Sequence, residues 1–298
     1  MITKKDRKQA QILSISVHST SKKRVLTFVR GRLGNFDKKS SKYTNFLIVT
    51  PNPEIVVRAQ RDQVLAEILN SANLSLPDGI GLAAAQKFLS LPAPKNKIAK
   101  APVLIIEGLV VGFAVLFNDK WLTEDLNILK GRETFLDLMK LANMKEWRVF
   151  LLGGEGDEVS KTEKNLQKSL KGVKISSHQG PMLDEKGNPQ TKEDILVEKE
   201  VIKKINTFNP HLLFVAFGAP KQEKWLNKWR DSLKIGGAMV VGGTFNYMAQ
   251  KTALPPKWME KLGLEWLWRL ITEPKRAKRI IKAFPVFPLK VFWDRLVH

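Results

Sequence analysis

Three short strings carry side chains able to do chemistry: Thr50-Pro51-Asn52-Pro53-Glu54, Pro77-Asp78-Gly79-Ile80-Gly81 and Gly218-Ala219-Pro220-Lys221-Gln222-Glu223. Each follows an apolar run and mixes turn-formers with polar groups, as site loops do at the carboxyl ends of strands in an open α/β sheet. A carboxylate such as Asp78 can act as a general base, although Pro-Asp-Gly is also a common turn on its own. Thr50 and Asn52 offer a hydroxyl and an amide that can orient a polar ligand or cap the helix that follows. Gln222 and Glu223 stand near the start of a helix, whose amide groups favour an anion such as a nucleotide phosphate. Glu223 is equally a favourable first-turn carboxylate. Gly153-Gly154 and Gly242-Gly243 let a ligand approach the backbone, and each also suits a tight turn. Together these loops point to an enzyme.

The elements that must position them follow one rhythm. Residues 46–49 read as a short buried strand, and residues 54–69 then place apolar side chains at helical spacing. Residues 148–152 run into Gly153-Gly154 and a polar helix over 159–170, and residues 212–217 run into Gly218 and a helix through Trp225 and Trp229. Residues 238–241 run into Gly242-Gly243. Alternating strands and helices predict an α/β fold, a Rossmann-like, mainly parallel sheet with helices on both faces. Ligands in such sheets sit where the glycine loops gather.

Composition bounds the partners. With 298 residues, 43% of them hydrophobic, the chain can bury a full core, so disorder throughout is excluded. The lack of cysteine removes disulfides and thiolate chemistry, and the four histidines, His18, His178, His211 and His298, lack metal-ligand spacing. No metal site is expected. A formal charge of +21 predicts an anionic partner: a phosphate-rich substrate, acidic lipid or nucleic acid. The excess gathers at the ends, with twelve Lys and Arg against two Asp in residues 1–42 and eleven against four acids in residues 251–298. Residues 1–8 are charged and no uninterrupted apolar core follows them, so export is not expected.

Three regions are predicted: a basic amino-terminal arm over 1–42, an α/β catalytic domain over 43–253, and an appendage over 254–298. The arm contains strand-like stretches at 12–17 and 25–29, consistent with a loosely attached strand pair or a solvated tail. Residues 91–130 break the strand and helix rhythm as an insertion. Within it the nearly all-apolar residues 103–117 are too short to span a bilayer as a helix, and read first as a buried strand or core helix. An interfacial lid is the alternative. In the appendage, Trp258, Trp266, Trp268 and Trp293 alternate with Lys and Arg, which suits either a membrane interface or an ordinary packed helix.

These residues match a known pattern. The three loops, the string Val149-Phe150-Leu151-Leu152-Gly153-Gly154, and Gly263-Leu264-Glu265-Trp266-Leu267-Trp268-Arg269-Leu270 with Glu273-Pro274, in this order, resemble the WecG/TagA/CpsF glycosyltransferases, glycosyltransferase family 26. The resemblance covers about residues 44–283. It implies transfer of a sugar, N-acetylmannosamine or a related one, from a UDP-sugar donor to an undecaprenyl-diphosphate-linked amino sugar, as in teichoic acid or surface polysaccharide synthesis. It further implies an inverting enzyme, free of metal and cofactor, peripheral on the cytoplasmic face of the plasma membrane and drawn to its anionic surface. A homo-oligomer is left open.

By the same resemblance, Asp78 is the general base and Thr50 an active-site threonine, and Gln222 belongs to the site. Asn52, Gly79, Gly153, Gly154, Gly218, Glu223 and Gly243 complete the expected substrate-binding set. Arg269, Arg276 and Arg279 match appendage arginines that hold a diphosphate and stabilise departing UDP, in the role a metal has elsewhere. At spacings of seven and three they would share a face of one continuous helix, which Pro274 can interrupt. The other reading is a basic face attracted to acidic lipid.

The chain departs from the family pattern at Asn246, where relatives usually carry aspartate, at Gln250, at Leu254-Pro255-Pro256 and at His178-Gln179-Gly180. These departures bear on which sugars are used, and leave a member that binds without turnover as an alternative. A nucleic-acid-binding protein is disfavoured, with no zinc-finger spacing or RNA-binding aromatic motif. A dinucleotide-dependent oxidoreductase is disfavoured because no Gly-x-Gly-x-x-Gly opens a helix.

Overall fold

The computed structural model describes residues 8–34, 36–38, 45–94, 96–256, 258–259, 264–272 and 277–298. An antiparallel hairpin, β1 (Lys8–Ile12) and β2 (Ile15–Ser19), precedes a six-stranded sheet. The sheet comprises β3 (Phe46–Val49), β4 (Leu74–Ser75), β5 (Arg148–Gly153), β6 (Lys174–His178), β7 (Leu212–Ala216) and β8 (Gly237–Val240). Its spatial order is β4-β3-β8-β7-β5-β6, and every pairing is parallel.

Both faces of this sheet are covered, which explains why its central strands are continuous apolar runs. Side chains alternate along a strand: Leu47 and Val49 enter one core cluster and Phe46 and Ile48 the other, and Leu213 and Val215 oppose Leu212 and Phe214 in the same way. On the first face lie α2 (Pro53–Ala59), α3 (Gln63–Ser71), α4 (Ile80–Ser90), α5 (Lys97–Phe117), α9 (Lys192–Phe208) and α10 (Lys221–Trp229). The second face carries α1 (Lys22–Leu33), α7 (Gly131–Met144), α8 (Glu158–Ser169) and α11 (Thr244–Met248). A fully buried ring such as Phe135, Phe150 or Phe214 contributes about 1.5–3 kcal/mol from area removed from water.

The amino-terminal residues differ from the expected strand pair. The partner of the strand at 15–19 is the preceding segment, and residues 25–29 lie within α1, where Val25, Val29 and Leu33 form a buried helical stripe and Ser21 caps the first turn. Four-residue spacing and a cap outweigh the β-branched composition. The hairpin is tied to the sheet: Ile12, Ile15 and Val17 are buried in the first cluster, and the His18 ring accepts the Ser75 backbone N–H at 3.0 Å.

The insertion also differs from expectation. Residues 103–117 are only the larger part of α5, which begins at Lys97 and runs through Pro102, so the helix has 21 residues. Among the described residues it is one helix long and apolar enough to cross a membrane, yet only 17% of its apolar window is buried. It is therefore a helix and not a strand, and a mostly exposed one, with Leu104, Val111 and Ala114 buried in the core cluster. A short helix, α6 (Asp119–Thr123), follows it.

The carboxy-terminal region is helical, with α12 (Glu265–Thr272), α13 (Ala277–Ile281) and α14 (Phe287–Val297). Phe287 and Val291 of α14 are buried in the first cluster, while Leu289, Trp293 and Val297 on its other face are exposed. Packing on the core and an outward apolar face coexist here.

Candidate active site

All six parallel strands deliver their carboxyl ends to one cavity of about 300 Å³. Thr50 follows β3, Asp78 follows β4, Gly154 follows β5, Gln179 follows β6, Gly218 follows β7, and Gly242 and Gly243 follow β8; each lines it. The chain places β4 and β6 at opposite edges and later returns to fill β7 and β8 between β5 and β3. That reversal opens the crevice in which open α/β sheets bind ligands.

Asp78 is half-buried, on a loop held at both sides by the main chain: its N–H donates to the Pro51 carbonyl at 2.9 Å, and the Leu129 N–H donates to the Pro77 carbonyl at 3.0 Å. Gly79 next to it has φ +96°, a conformation that favours glycine, and leads into α4. Asn52 caps α2, its Oδ1 accepting the Ile55 N–H at 2.9 Å. The Thr50 hydroxyl lies 3.5 Å from the Val240 carbonyl and packs against Gly131, where a β-carbon would sit 3.3 Å from it.

Gln222 is almost fully buried. Its Oε1 accepts the Gly242 N–H at 3.2 Å and its Nε2 donates to Glu223 Oε1 at 2.9 Å, so one side chain joins the loops after β7 and β8. Gly218 has φ +77° with open space where a side chain would stand, leaving its backbone accessible from the cavity.

A second, mainly apolar cavity of about 640 Å³ meets the first, and Asn52, Asp78 and Lys130 line both. Gly79 lines the apolar one. A carboxylate, a carboxamide and an ammonium thus stand where a polar chamber joins an apolar one.

Of the expected site residues, the polar cavity gathers Thr50, Asn52, Asp78, Gly154, Gly218, Gln222 and Gly243. Gly153 and Glu223 stand behind it: a β-carbon on Gly153 would lie 2.7 Å from the Ala216 main chain, and Glu223 is buried beneath Gln222. Arg276, and the side chains of Arg269 on α12 and Arg279 on α13, lie outside the described residues. The cavity also contains Lys130, Arg132, Glu158 and Tyr247, which the sequence reading did not single out. The guanidinium of Arg132 stands 5.2 Å from the centre of the Tyr247 ring. Lys130 and Arg132 follow no apolar strand and open α7 at the edge of the insertion, so strand-and-loop rhythm carried no signal for them. Asn246, where an aspartate was expected, lines the same chamber.

The rim is fastened electrostatically. Lys251 Nζ is 2.7 Å from Asp157 and donates to the Glu155 carbonyl at 3.1 Å, tying the segment after α11 to the loop after β5. Hydrogen bonds from Lys161 and Lys251 pull Asp157 down to about 2. His178, at the end of β6, accepts the Gly180 N–H on Nδ1 at 2.9 Å, and burial with nearby Lys204 holds its pKa below the usual histidine range. Among the described residues no group of three or more His, Asp and Glu is arranged to hold a metal ion.

Comparisons with known proteins agree with this architecture. Residues 10–106 and 95–298 match the sequence model of the glycosyl transferase WecG/TagA/CpsF family. The N-acetylglucosaminyldiphosphoundecaprenol N-acetyl-beta-D-mannosaminyltransferase of Bacillus subtilis (strain 168) is 28% identical over 245 residues, 82% of this chain and 78% of that protein. The protein of the same name from Staphylococcus aureus (strain NCTC 8325 / PS 47) is 27% identical over 247 residues, 83% of this chain and 80% of that protein. With the family match extending over nearly the whole chain and a shared chamber built from all six strand ends, this chain belongs to the WecG/TagA/CpsF glycosyl transferase family.

Proposed function

We propose that this glycosyltransferase moves N-acetylmannosamine, or a closely related sugar, from a UDP donor to an undecaprenyl-diphosphate-linked amino sugar, with inversion and without a metal. The observation that carries the reading is the position of Asp78 at the junction of a polar and an apolar chamber. A nucleotide sugar suits the first, a lipid-linked acceptor enters through the second, and the carboxylate stands where the two meet. The names of the relatives, which describe transfer to a diphosphoundecaprenol-linked sugar, support the same pairing.

In this reading Asp78 takes the proton of the acceptor hydroxyl as that oxygen forms its bond to the anomeric carbon. The bond from this carbon to the UDP oxygen breaks at the same time, UDP leaves with the electron pair, and the configuration inverts. Thr50, Asn52 and Gln222 orient the sugar and nucleotide. Gly79, Gly154, Gly218 and Gly243 allow close approach to the backbone, with Gly153 and Glu223 shaping the floor. Lys130 and Arg132 at the chamber, with Arg269, Arg276 and Arg279 from the carboxy-terminal region, neutralise the diphosphate. The enzyme works peripherally at the inner face of the plasma membrane, where its charge of +21 is attracted to acidic headgroups.

A panel of UDP-sugars with a synthetic polyprenyl-diphosphate amino-sugar acceptor, read by UDP release, tests the activity and the choice of sugar together. Asp78→Asn lowers turnover by about 10²- to 10⁴-fold with an unchanged thermal midpoint; full turnover in that variant refutes the role. Arg276→Ala lowers turnover in detergent without membranes, whereas an effect seen only with bilayers assigns that arginine to lipid.

A further inference from the structure

We propose that α5 is an interfacial helix: its outer face lies among lipid chains, and its inner face forms one wall of the passage by which a polyprenyl chain reaches Asp78 from the bilayer. The proposal rests on the acceptor chemistry above, and assigns to α5 a role separate from catalysis.

The two faces separate cleanly at helical spacing. Ile105, Ile106, Leu109, Val110, Phe113 and Phe117 point outward and are exposed, with Leu109 at 70% and Phe113 at 67%. Leu104, Val111 and Ala114 point inward and are buried. Between residues 101 and 117 the single charged side chain is Glu107, and it is turned inward, 2.7 Å from Arg295 of α14. Arg295 also donates to the Leu91 carbonyl at 2.6 Å and lies over the Phe88 ring at 4.5 Å. The ion pair keeps charge off the outer face and clamps α5 to the domain, which favours a helix lying in the interface over one crossing it.

The outward stripe has neighbours of the same character. α14, joined to α5 by that ion pair, exposes Leu289, Trp293 and Val297 at four-residue spacing. Lys100 and Lys120 near the two ends of α5, with Lys282 shortly before α14 and Lys290 within it, supply cationic side chains that suit acidic headgroups. An apolar surface of this kind marks an interaction site in a chain that is otherwise strongly charged.

Continuity with the site identifies lipid as the occupant. Gly108, Val111, Gly112 and Val115 of α5 line the 640 Å³ apolar cavity together with Phe284 and Phe287, and Asp78 and Lys130, which line the same cavity, are shared with the polar chamber. The glycines open it: a β-carbon at Gly112 would meet nothing within 4 Å. An apolar passage that ends at a carboxylate and an ammonium fits a hydrocarbon chain carrying a diphosphate-linked sugar.

The test uses the full chain and vesicles of phosphatidylcholine with phosphatidylglycerol. Leu109→Glu combined with Phe113→Glu changes exposed positions only, and lowers the vesicle-bound fraction about tenfold or more, because two large apolar groups no longer enter lipid. The same variant loses turnover on a vesicle-borne undecaprenyl acceptor and keeps it on a water-soluble acceptor with a short alkyl tail. Gly112→Trp still floats with vesicles, yet raises the KM for the long-chain acceptor. Unchanged flotation of the double variant overturns the proposal, as does a wild-type dimer in vesicle-free solution that the double variant dissociates, since a second copy then covers this face. Flotation needs no turnover, so failure of both acceptors to release UDP would count against the proposed activity and leave the role of α5 to be judged by binding alone.

Discussion

The Gln222 carboxamide holds the Gly242 backbone, accepting its N–H at 3.2 Å, while its own Nε2 donates to Glu223 at 2.9 Å. Through this buried side chain the helix after β7 fixes the glycine loop after β8, and the two walls of the polar chamber keep one spacing. Gln222 thus links packing to the geometry of the chamber it lines.

Gln222→Ala leaves a buried amide without its acceptor, which costs about 1–3 kcal/mol and lowers kcat/KM for the UDP-sugar. Gln222→Glu is the more damaging change at pH 8, because two carboxylates then meet where Gln222 now donates to Glu223. It regains stability at pH 5, when one of them binds a proton. Urea midpoints at the two pH values check both statements; equal stability of the two variants at pH 8 contradicts the geometry.

Glu198 anchors the same helix from behind. Its Oε1 accepts from the indole N–H of Trp225 at 2.9 Å and of Trp229 at 3.0 Å, and all but 5% of the residue is buried. Glu198→Ala strands both donors and destabilises the protein by about 2–4 kcal/mol, whereas Glu198→Gln keeps an acceptor oxygen and costs less. The order of the two in chemical denaturation is the measurement.

Lys130 lines both chambers, and no other cationic side chain among the described residues lining either one does so. In the proposed reaction it meets a diphosphate, so Lys130→Met raises the KM for donor or acceptor and lowers turnover by about tenfold. Lys130→Arg retains part of the activity. Unaltered kinetics in the methionine variant removes Lys130 from the site.

His211 makes stability depend on pH. The ring is buried and accepts the Arg148 N–H on Nδ1 at 3.2 Å, so the proton is on Nε2, 3.1 Å from Asp37. Burial lowers its pKa and Arg148 adds to this, while Asp37 opposes them. A depressed folded pKa means that the unfolded chain binds the proton first. The stabilisation is complete above the unfolded value of about 6.5 and is lost as pH falls toward and through the folded value, with a slope of at most about 1.4 kcal/mol per pH unit. His178 contributes with the same sign. His211→Gln flattens the decline between pH 7 and pH 5 in denaturation curves; an unchanged slope excludes His211 as a source.

Residues 46–49, 148–153, 212–216 and 237–240 announced their strands because both faces of each are buried, which writes them as nearly unbroken apolar runs. The loops carrying Thr50, Gly218 and Gln222 were legible for the same reason, each following such a run with turn-formers and polar groups, whereas the Asp78 loop was legible through its Pro-Asp-Gly turn. β6 left no comparable trace, since Lys174–His178 is a partly exposed edge strand of polar composition, and β4 has only two residues. Order in the sheet, β4-β3-β8-β7-β5-β6, depends on which runs pair across long crossovers, and local pattern holds no information on that.

Composition and local spacing therefore determined the class of fold, the chain's own basic charge and the loops that line the polar chamber, because burial and turn chemistry act over a few residues. Tertiary packing decided that Lys130 joins Asp78, that Gln222 grips Gly242, and that one face of α5 walls the apolar passage while the other stays exposed. Each of these depends on contacts between segments far apart in the chain, and a run such as residues 103–117 reads as equally apolar whether protein or lipid is to cover it.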